Sequence, residues 1–218
     1  LYCTRNYDNE KIRKTIQKST IGLWILEIIK IIFNLIIGNI KHPNNYLPLY
    51  YCSIILYAGL FSGFGKGKLK RCGDVFISTG SVIGGLFFIT CPTTSIPMYP
   101  LFHYISIQSF IFHGTMLYLG MLVNKHNYIK LKLSDIKYYF ALVVIMCGIS
   151  YYANKILKTN FMFISDNFPN TPVEWVYNFT GVLFTPFMII IQAIGPFYVM
   201  YYIKKVYQNI IDSKEQIA

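Results

Sequence analysis

Long apolar stretches alternate with short polar ones along this chain. Six of them, at about 20–38, 46–64, 73–90, 101–123, 136–154 and 180–203, match the ~20 residues of helix that a hydrocarbon core requires. No alternating pattern of the β-barrel kind accompanies them, so helices are the spanning elements. Pro186 and Pro196 fall inside the last stretch, and such interruptions are tolerated in membrane helices. The pattern predicts an all-α fold: a polytopic transmembrane helical bundle with six visible spans, forming a single integral membrane domain over 1–218. The first residue is Leu1 and not methionine, so one more helix is expected to precede it.

The polar intervals set the expected orientation. Arg5, Lys11, Arg13, Lys14 and Lys18 precede the first stretch, Lys66, Lys68, Lys70 and Arg71 follow the second, Lys125, Lys130, Lys132 and Lys137 follow the fourth, and Lys204, Lys205 and Lys214 follow the sixth. The alternate intervals hold only Lys41, Lys155 and Lys158. Cytoplasmic loops carry the excess of Lys and Arg, which puts both visible termini in the cytoplasm. An odd number of spans would break the alternation. The outer intervals are then 39–45, 91–100 (with Cys91, Pro92, Pro97 and Pro100) and 155–179. The last carries Asp166, Pro169, Pro172, Glu174 and Trp175, and is expected to fold over the bundle.

Composition agrees. The chain is 54% hydrophobic and 13% charged, with mean hydropathy +0.43, against ~25% charged for a soluble domain. A net charge of +11 could signal nucleic acid or an anionic membrane. Its placement in alternate loops assigns it to the membrane, and no RNA- or DNA-binding motif is present, so nucleic acid is not an expected partner. Abundant Tyr and Asn read as base bias of the genome. The segment 4–18 has no apolar core or cleavage site of a signal peptide. Cys3, Cys52, Cys72, Cys91 and Cys147 form no C-x-x-C pair and no metal spacing. Neither a disulfide framework nor a metal or other cofactor is expected.

Candidate chemistry lies in the polar residues within the spans, where ionisable groups are costly and mark function by default. Cys52 sits about six residues into the second stretch, ~9 Å deep at the helical rise, where a lipid ester can reach. A buried cysteine is otherwise a small hydrophobe. His113 sits about twelve residues into the fourth stretch, ~18 Å deep, either as a general base or as a satisfied structural group. His103, nearer the outer end, competes for that role, and Gln108 could line the same cavity. Glu27 and Lys30, at i and i+3, are a structural couple, or Glu27 faces a cavity and holds a substrate group or orients His113. Asn160 stands at the outer mouth as a hydrogen-bonding group or as a helix-terminal loop residue. A thiol and an imidazole are the pair that acyl transfer needs.

Three segments together carry a resemblance. Leu47-Pro48-Leu49-Tyr50-Tyr51-Cys52-Ser53 resembles a Leu-Pro-Leu-His-Leu-Cys-Ser segment. Thr90-Cys91-Pro92, Pro100, Phe102 and Phe112-His113-Gly114 resemble a Leu-Thr-Pro, Phe-Pro, Ser-His-Gly series. Thr159-Asn160-Phe161-Met162-Phe163 resembles Thr-Asn-Tyr-Met-Phe. In this order and spacing they are similar to the YwaF-like integral membrane family of bacteria, related to the eukaryotic transmembrane protein 164. The resemblance covers nearly the whole chain and implies a helical bundle in a bacterial plasma membrane.

The eukaryotic relative is a phospholipid acyltransferase that moves a fatty acyl chain from a diacyl phospholipid to a lysophospholipid. The resemblance implies that Cys52 is the nucleophile and His113 the base, with a membrane phospholipid or lysophospholipid as partner. Tyr50 departs from the pattern by replacing a histidine, and a phenol is a poor base near neutral pH. Tyr50 or Asn160 would then stabilise the oxyanion, Glu27 would orient His113, and Gly114 would leave room beside the ring for another helix. The rival expectation is a small-solute membrane carrier or substrate-binding transport subunit, for which six helices and embedded Glu27, Lys30 and His113 also suffice. A third is a bundle that only scaffolds protein partners. A carrier has no chemical need of Cys52.

Overall fold

The computed structural model describes residue 4 and residues 7–38, 41–92 and 99–217. The fold is all helical among these residues. Helix α1 (Asn9–Ile36) starts at Asp8, whose carboxylate accepts the Lys11 amide at 2.7 Å. One face buries Ile12, Ile16, Thr20, Leu23 and Glu27. The opposite face exposes Ile21, Ile25, Ile28, Ile29 and Ile32, the disposition of a helix with protein on one side and lipid on the other.

The second pass departs from the expected uniform span over 46–64. Residues 46–50 are not helical. Helical structure begins with a 3-10 turn at Tyr51–Ser53 and continues as α2 (Ile54–Phe64), so the helical part is only ~21 Å long. Pro48 is the physical reason: it has no amide to donate and steers Leu47 away from helical geometry. The strand-like lead-in is held from outside, by Tyr57 Oη on the Pro48 carbonyl at 3.4 Å and Ser150 Oγ on the Leu49 carbonyl at 2.9 Å.

The third pass consists of α3 (Gly67–Ser78) and α4 (Gly80–Thr90), broken at Thr79. The break leaves no polar debt. The Thr79 hydroxyl donates to the Val75 carbonyl at 2.7 Å, the Ser81 hydroxyl to the Ile77 carbonyl, and Asn124 Nδ2 to the Ser78 carbonyl at 2.8 Å. Helices α5 (Tyr104–Lys125), α6 (Ile136–Leu157), α7 (Pro172–Thr180) and α8 (Phe184–Ile217) complete the chain. His103, expected inside the fourth span, is instead the N-cap of α5, with Nδ1 accepting the Ile105 amide at 3.2 Å.

Small residues let these helices approach. A Cβ on Gly59 would lie 2.3 Å from Thr20 Oγ1, and one on Gly73 would lie 2.3 Å from the Ala58 carbonyl oxygen. Packing of this kind substitutes for the hydrophobic drive that lipid cannot supply. The close approach expected at Gly114 is not there, since nothing lies within 4 Å of its would-be Cβ. It occurs at Gly85, whose would-be Cβ meets the His113 carbonyl oxygen at 3.2 Å.

Five helical stretches among the described residues are long and apolar enough to cross a membrane: Asn9–Ile36, Gly67–Thr90, Tyr104–Lys125, Leu133–Leu157 and Pro172–Ile210. Tyr51–Phe64 is a shorter apolar one. The protein is an integral membrane protein. The expected folding of 155–179 over the bundle is partial. Phe161, Met162 and Ile164 are buried, whereas Trp175 and Phe179, one turn apart on α7, are 77% and 85% exposed, and Val182, beyond the break at Gly181, is 99% exposed. Exposed apolar residues continue through Leu183 into α8 at Phe187 and Ile190, and a Trp at the edge of this surface suits the membrane–water boundary.

The basic intervals meet at one end. Arg13 Nε donates to the Gly63 carbonyl at 2.9 Å, Arg71 binds Asp135 at 3.0 Å through Nε and the Lys130 carbonyl at 2.8 Å through Nη2, and Tyr7 stacks on His126. The poorly charged intervals meet at the other, where Asn34 binds the Asn45 carbonyl, Phe33 packs on His103, and Asn44 accepts the Asn160 amide. Charge bias predicts that the first end is cytoplasmic. Reporters at positions 68 and 130 should therefore be labelled from one side of the membrane and a reporter at 170 from the other. Labelling of 68 and 170 from the same side would overturn that orientation. The expected outer loop at 91–100, including Pro97, lies largely outside the described residues, as does Cys3.

Candidate active site

Antiparallel register sets the heights of Glu27, Cys52 and His113 along the bundle. Between α1 and α2, Gln17 meets Gly63, Thr20 meets Gly59 and Trp24 Nε1 donates to the Leu56 carbonyl at 3.3 Å. One further turn sets Glu27 level with Cys52. Between α1 and α5, Phe33 packs on Tyr104 with centroids 5.1 Å apart. Two turns inward, Glu27 comes level with the segment just before His113. On the far wall, Tyr51 lies against Gly80 and Gly84, and His113 against Phe88 and Gly85. Along α4, Tyr51 and His113 thus meet positions about one helical turn apart, ~5.4 Å. Helix α5 starts at Tyr104, which puts His113 ~14 Å from its outer end. No hydrogen bond joins the Cys52 thiol to His113 among the described residues.

The two histidines differ in what their nitrogens are free to do. His113 Nδ1 lies 2.8 Å from the Ser109 carbonyl oxygen. A carbonyl cannot donate, so Nδ1 carries the proton and the neutral ring keeps its lone pair at Nε2. The ring stacks flat on Phe88, with centroids 3.6 Å apart and 8° between planes. His103 is arranged the other way: its Nδ1 lone pair caps α5, and the ring stacks on Tyr99 at 4.7 Å. The group that orients His113 is the Ser109 carbonyl, and not Glu27 as expected. Glu27 is ion-paired with Lys30 at 2.5 Å. Gln108 is buried on α5, ahead of His113.

Beside Cys52 runs a chain of polar groups. Tyr51 Oη and Tyr139 Oη are 2.6 Å apart, and Tyr139 Oη donates to the Gln192 carbonyl at 3.1 Å. Each hydroxyl has one proton, so Tyr51 is the donor to Tyr139. Gln192 Nε2 donates to the Met162 carbonyl at 2.8 Å, while its Oε1 is buried without a hydrogen-bond partner. The Tyr51 hydroxyl is within electrostatic reach of both Cys52 and Cys147. In the sequence nothing distinguishes Tyr139 from the other tyrosines, 19 in all. Gln192, a polar residue in an apolar span, was detectable by the intramembrane-polar rule.

The outer lid of this region is the segment 159–165. Met162 and Phe163 have φ of +58° and +51°, uncommon for bulky residues and held only where the surroundings over-determine them. Asn154 supplies that hold. Its Oδ1 accepts the Phe161 amide at 2.7 Å and Thr159 Oγ1 at 2.9 Å, and its Nδ2 donates to the Phe161 carbonyl at 3.1 Å and Ser165 Oγ at 2.7 Å. Asn160 is the loop brace of its plainer reading: Oδ1 accepts the Ser165 and Asp166 amides, and Nδ2 donates to the Asp166 carbonyl. Tyr50 is wedged between Phe161 and Phe163, each at 5.4 Å, with its hydroxyl donating to Asn44 Oδ1 at 3.3 Å. Both polar groups are engaged by partners at the outer mouth.

No curated protein and no solved structure matches the chain. The model of the TMEM164 family matches residues 1–201, a stretch that includes every candidate residue above and agrees with the relationship to transmembrane protein 164 read from the three motifs. The chain belongs to the TMEM164 family.

Proposed function

We propose that this protein is a membrane-embedded phospholipid acyltransferase or transacylase working through a cysteine thioester. The observation that carries the reading is the Nε2 lone pair of His113, left free because the Ser109 carbonyl holds Nδ1. His113 Nε2 takes the thiol proton of Cys52, and the thiolate attacks the carbonyl carbon of a donor ester. The tetrahedral oxyanion collapses, the ester C–O bond breaks, and the departing lysophospholipid oxygen takes the proton from Nε2. An acceptor lysophospholipid hydroxyl then gives its proton to Nε2 and attacks the thioester. The C–S bond breaks and the thiolate is reprotonated by the imidazolium. Dividing one displacement into two lowers each barrier. Tyr50, which replaces a histidine of the family pattern, has its hydroxyl on Asn44 and leaves the proton transfers to His113.

Incubation with an acyl-labelled diacyl phospholipid should leave a hydroxylamine-sensitive label on the protein. Cys52→Ser should abolish it and Cys147→Ser should not. Equal labelling of both variants would refute the thioester. It would favour the small-solute carrier, for which the buried Glu27–Lys30 pair is the supporting observation.

A further inference from the structure

We propose that Lys30 is the phosphate-positioning residue of this site, keeping Glu27 on one N–H while offering another to the phosphodiester of the lipid whose ester reaches Cys52. The proposal rests on the acyl-transfer reading and adds to it the group that sets the height of the substrate. Two features distinguish the pair from a merely structural couple. Its partners are unequally sealed: the Glu27 side chain is 2% exposed and that of Lys30 is 19% exposed. The carboxylate is enclosed by its neighbours, while the ammonium stands where a ligand can approach. The ammonium is also incompletely used: of its three N–H donors one meets an acceptor among the described residues, Glu27 Oε1 at 2.5 Å.

Height and surroundings point the same way. Lys30 is three residues nearer the outer end of α1 than Glu27, a step of ~4.5 Å. In a glycerophospholipid the phosphate lies on the headgroup side of the acyl esters, separated from them by the glycerol carbons. An ester at Cys52 therefore sets its phosphate toward Lys30. The charge of Lys30 is within electrostatic reach of His113, so cation and base are near neighbours. The Tyr104 hydroxyl is buried without a hydrogen-bond partner and within electrostatic reach of Glu27; it supplies a second donor. A lysine ammonium is a compact charge with three donors and suits a phosphate oxygen, with bonds about twice as strong as neutral ones. Glu27 stays on the ammonium with and without lipid, so its buried charge is never left alone, which would be strongly destabilising.

The test measures binding by the full chain of a lysophospholipid and of a monoacylglycerol with the same acyl chain. Lys30→Gln should weaken lysophospholipid binding by about 10- to 100-fold, the scale of a charged hydrogen bond, and leave the monoacylglycerol unchanged. Lys30→Arg should retain most of the affinity. Because Lys30→Gln strands Glu27, the double variant Glu27→Gln, Lys30→Gln is the decisive one: it removes both charges and should still lose the phosphate preference. Parental binding of both lipids by the double variant would overturn the proposal, as would an equal loss for both lipids. The thioester measurement is independent. A missing label on Cys52 with a Lys30-dependent preference for phosphate would refute acyl transfer and retain the lipid site.

Discussion

Alanine in place of His113 should lower acyl transfer by about 10²–10⁴-fold, the usual contribution of a positioned acid–base group, while alanine in place of His103 should leave the rate nearly unchanged. The difference follows from the ring nitrogens. His113 spends Nδ1 on the Ser109 carbonyl, which fixes the tautomer and leaves Nε2 to accept a proton. His103 spends its lone pair on the Ile105 amide as the cap of α5. Its loss should cost stability, on the order of 0.5–2 kcal/mol for a cap, and not chemistry. His113→Ala also forfeits the stack on Phe88, so melting temperature must be measured beside rate. The expected pattern is a rate loss for His113 far larger than its loss of stability explains, and for His103 a loss of stability with little change in rate. Comparable transfer by the His113 variant and the parent would dismiss the proposed base.

Valine in place of Gly73 should prevent the bundle from assembling. Even one added Cβ would lie 2.3 Å from the Ala58 carbonyl oxygen and 2.5 Å from the Ser62 amide nitrogen. Both are backbone atoms of the facing helix and cannot swing aside. Overpacking a tight interior typically costs 1–3 kcal/mol, and more where backbone must move, so a loss of about 3 kcal/mol or more is expected. The damage should reach the site, because α2 follows directly on the turn that bears Cys52, and Ser62 and Asp74 hydrogen-bond at 2.5 Å across the same contact. Gly148→Ala is the control, since nothing lies within 4 Å of its would-be Cβ. Folded yield and thermal melting in detergent check both. A Gly73→Val protein that melts like Gly148→Ala would contradict the close α2–α3 packing.

The sequence by itself determined the fold class, the alternation of basic and uncharged ends, the family and the candidate thiol and imidazole. These are local or additive properties: hydropathy summed over a span, charge summed over a loop, a motif a few residues long. Even the short helix of the second pass was legible in principle from Pro48, which acts on its immediate neighbours. What only the tertiary structure decided was which distant residues meet. Tyr51, Tyr139 and Gln192 join three passes in one polar chain, and Ser150 on α6 holds the Leu49 carbonyl of the second pass. Such partners are separated by up to about a hundred residues, and their meeting depends on the rotation and height of each helix. Those are fixed by close approaches at Gly59, Gly73 and Gly85, where a missing side chain on one helix is matched to a backbone or side chain on another. A single strand of sequence records the missing side chain and not the neighbour that fills its place.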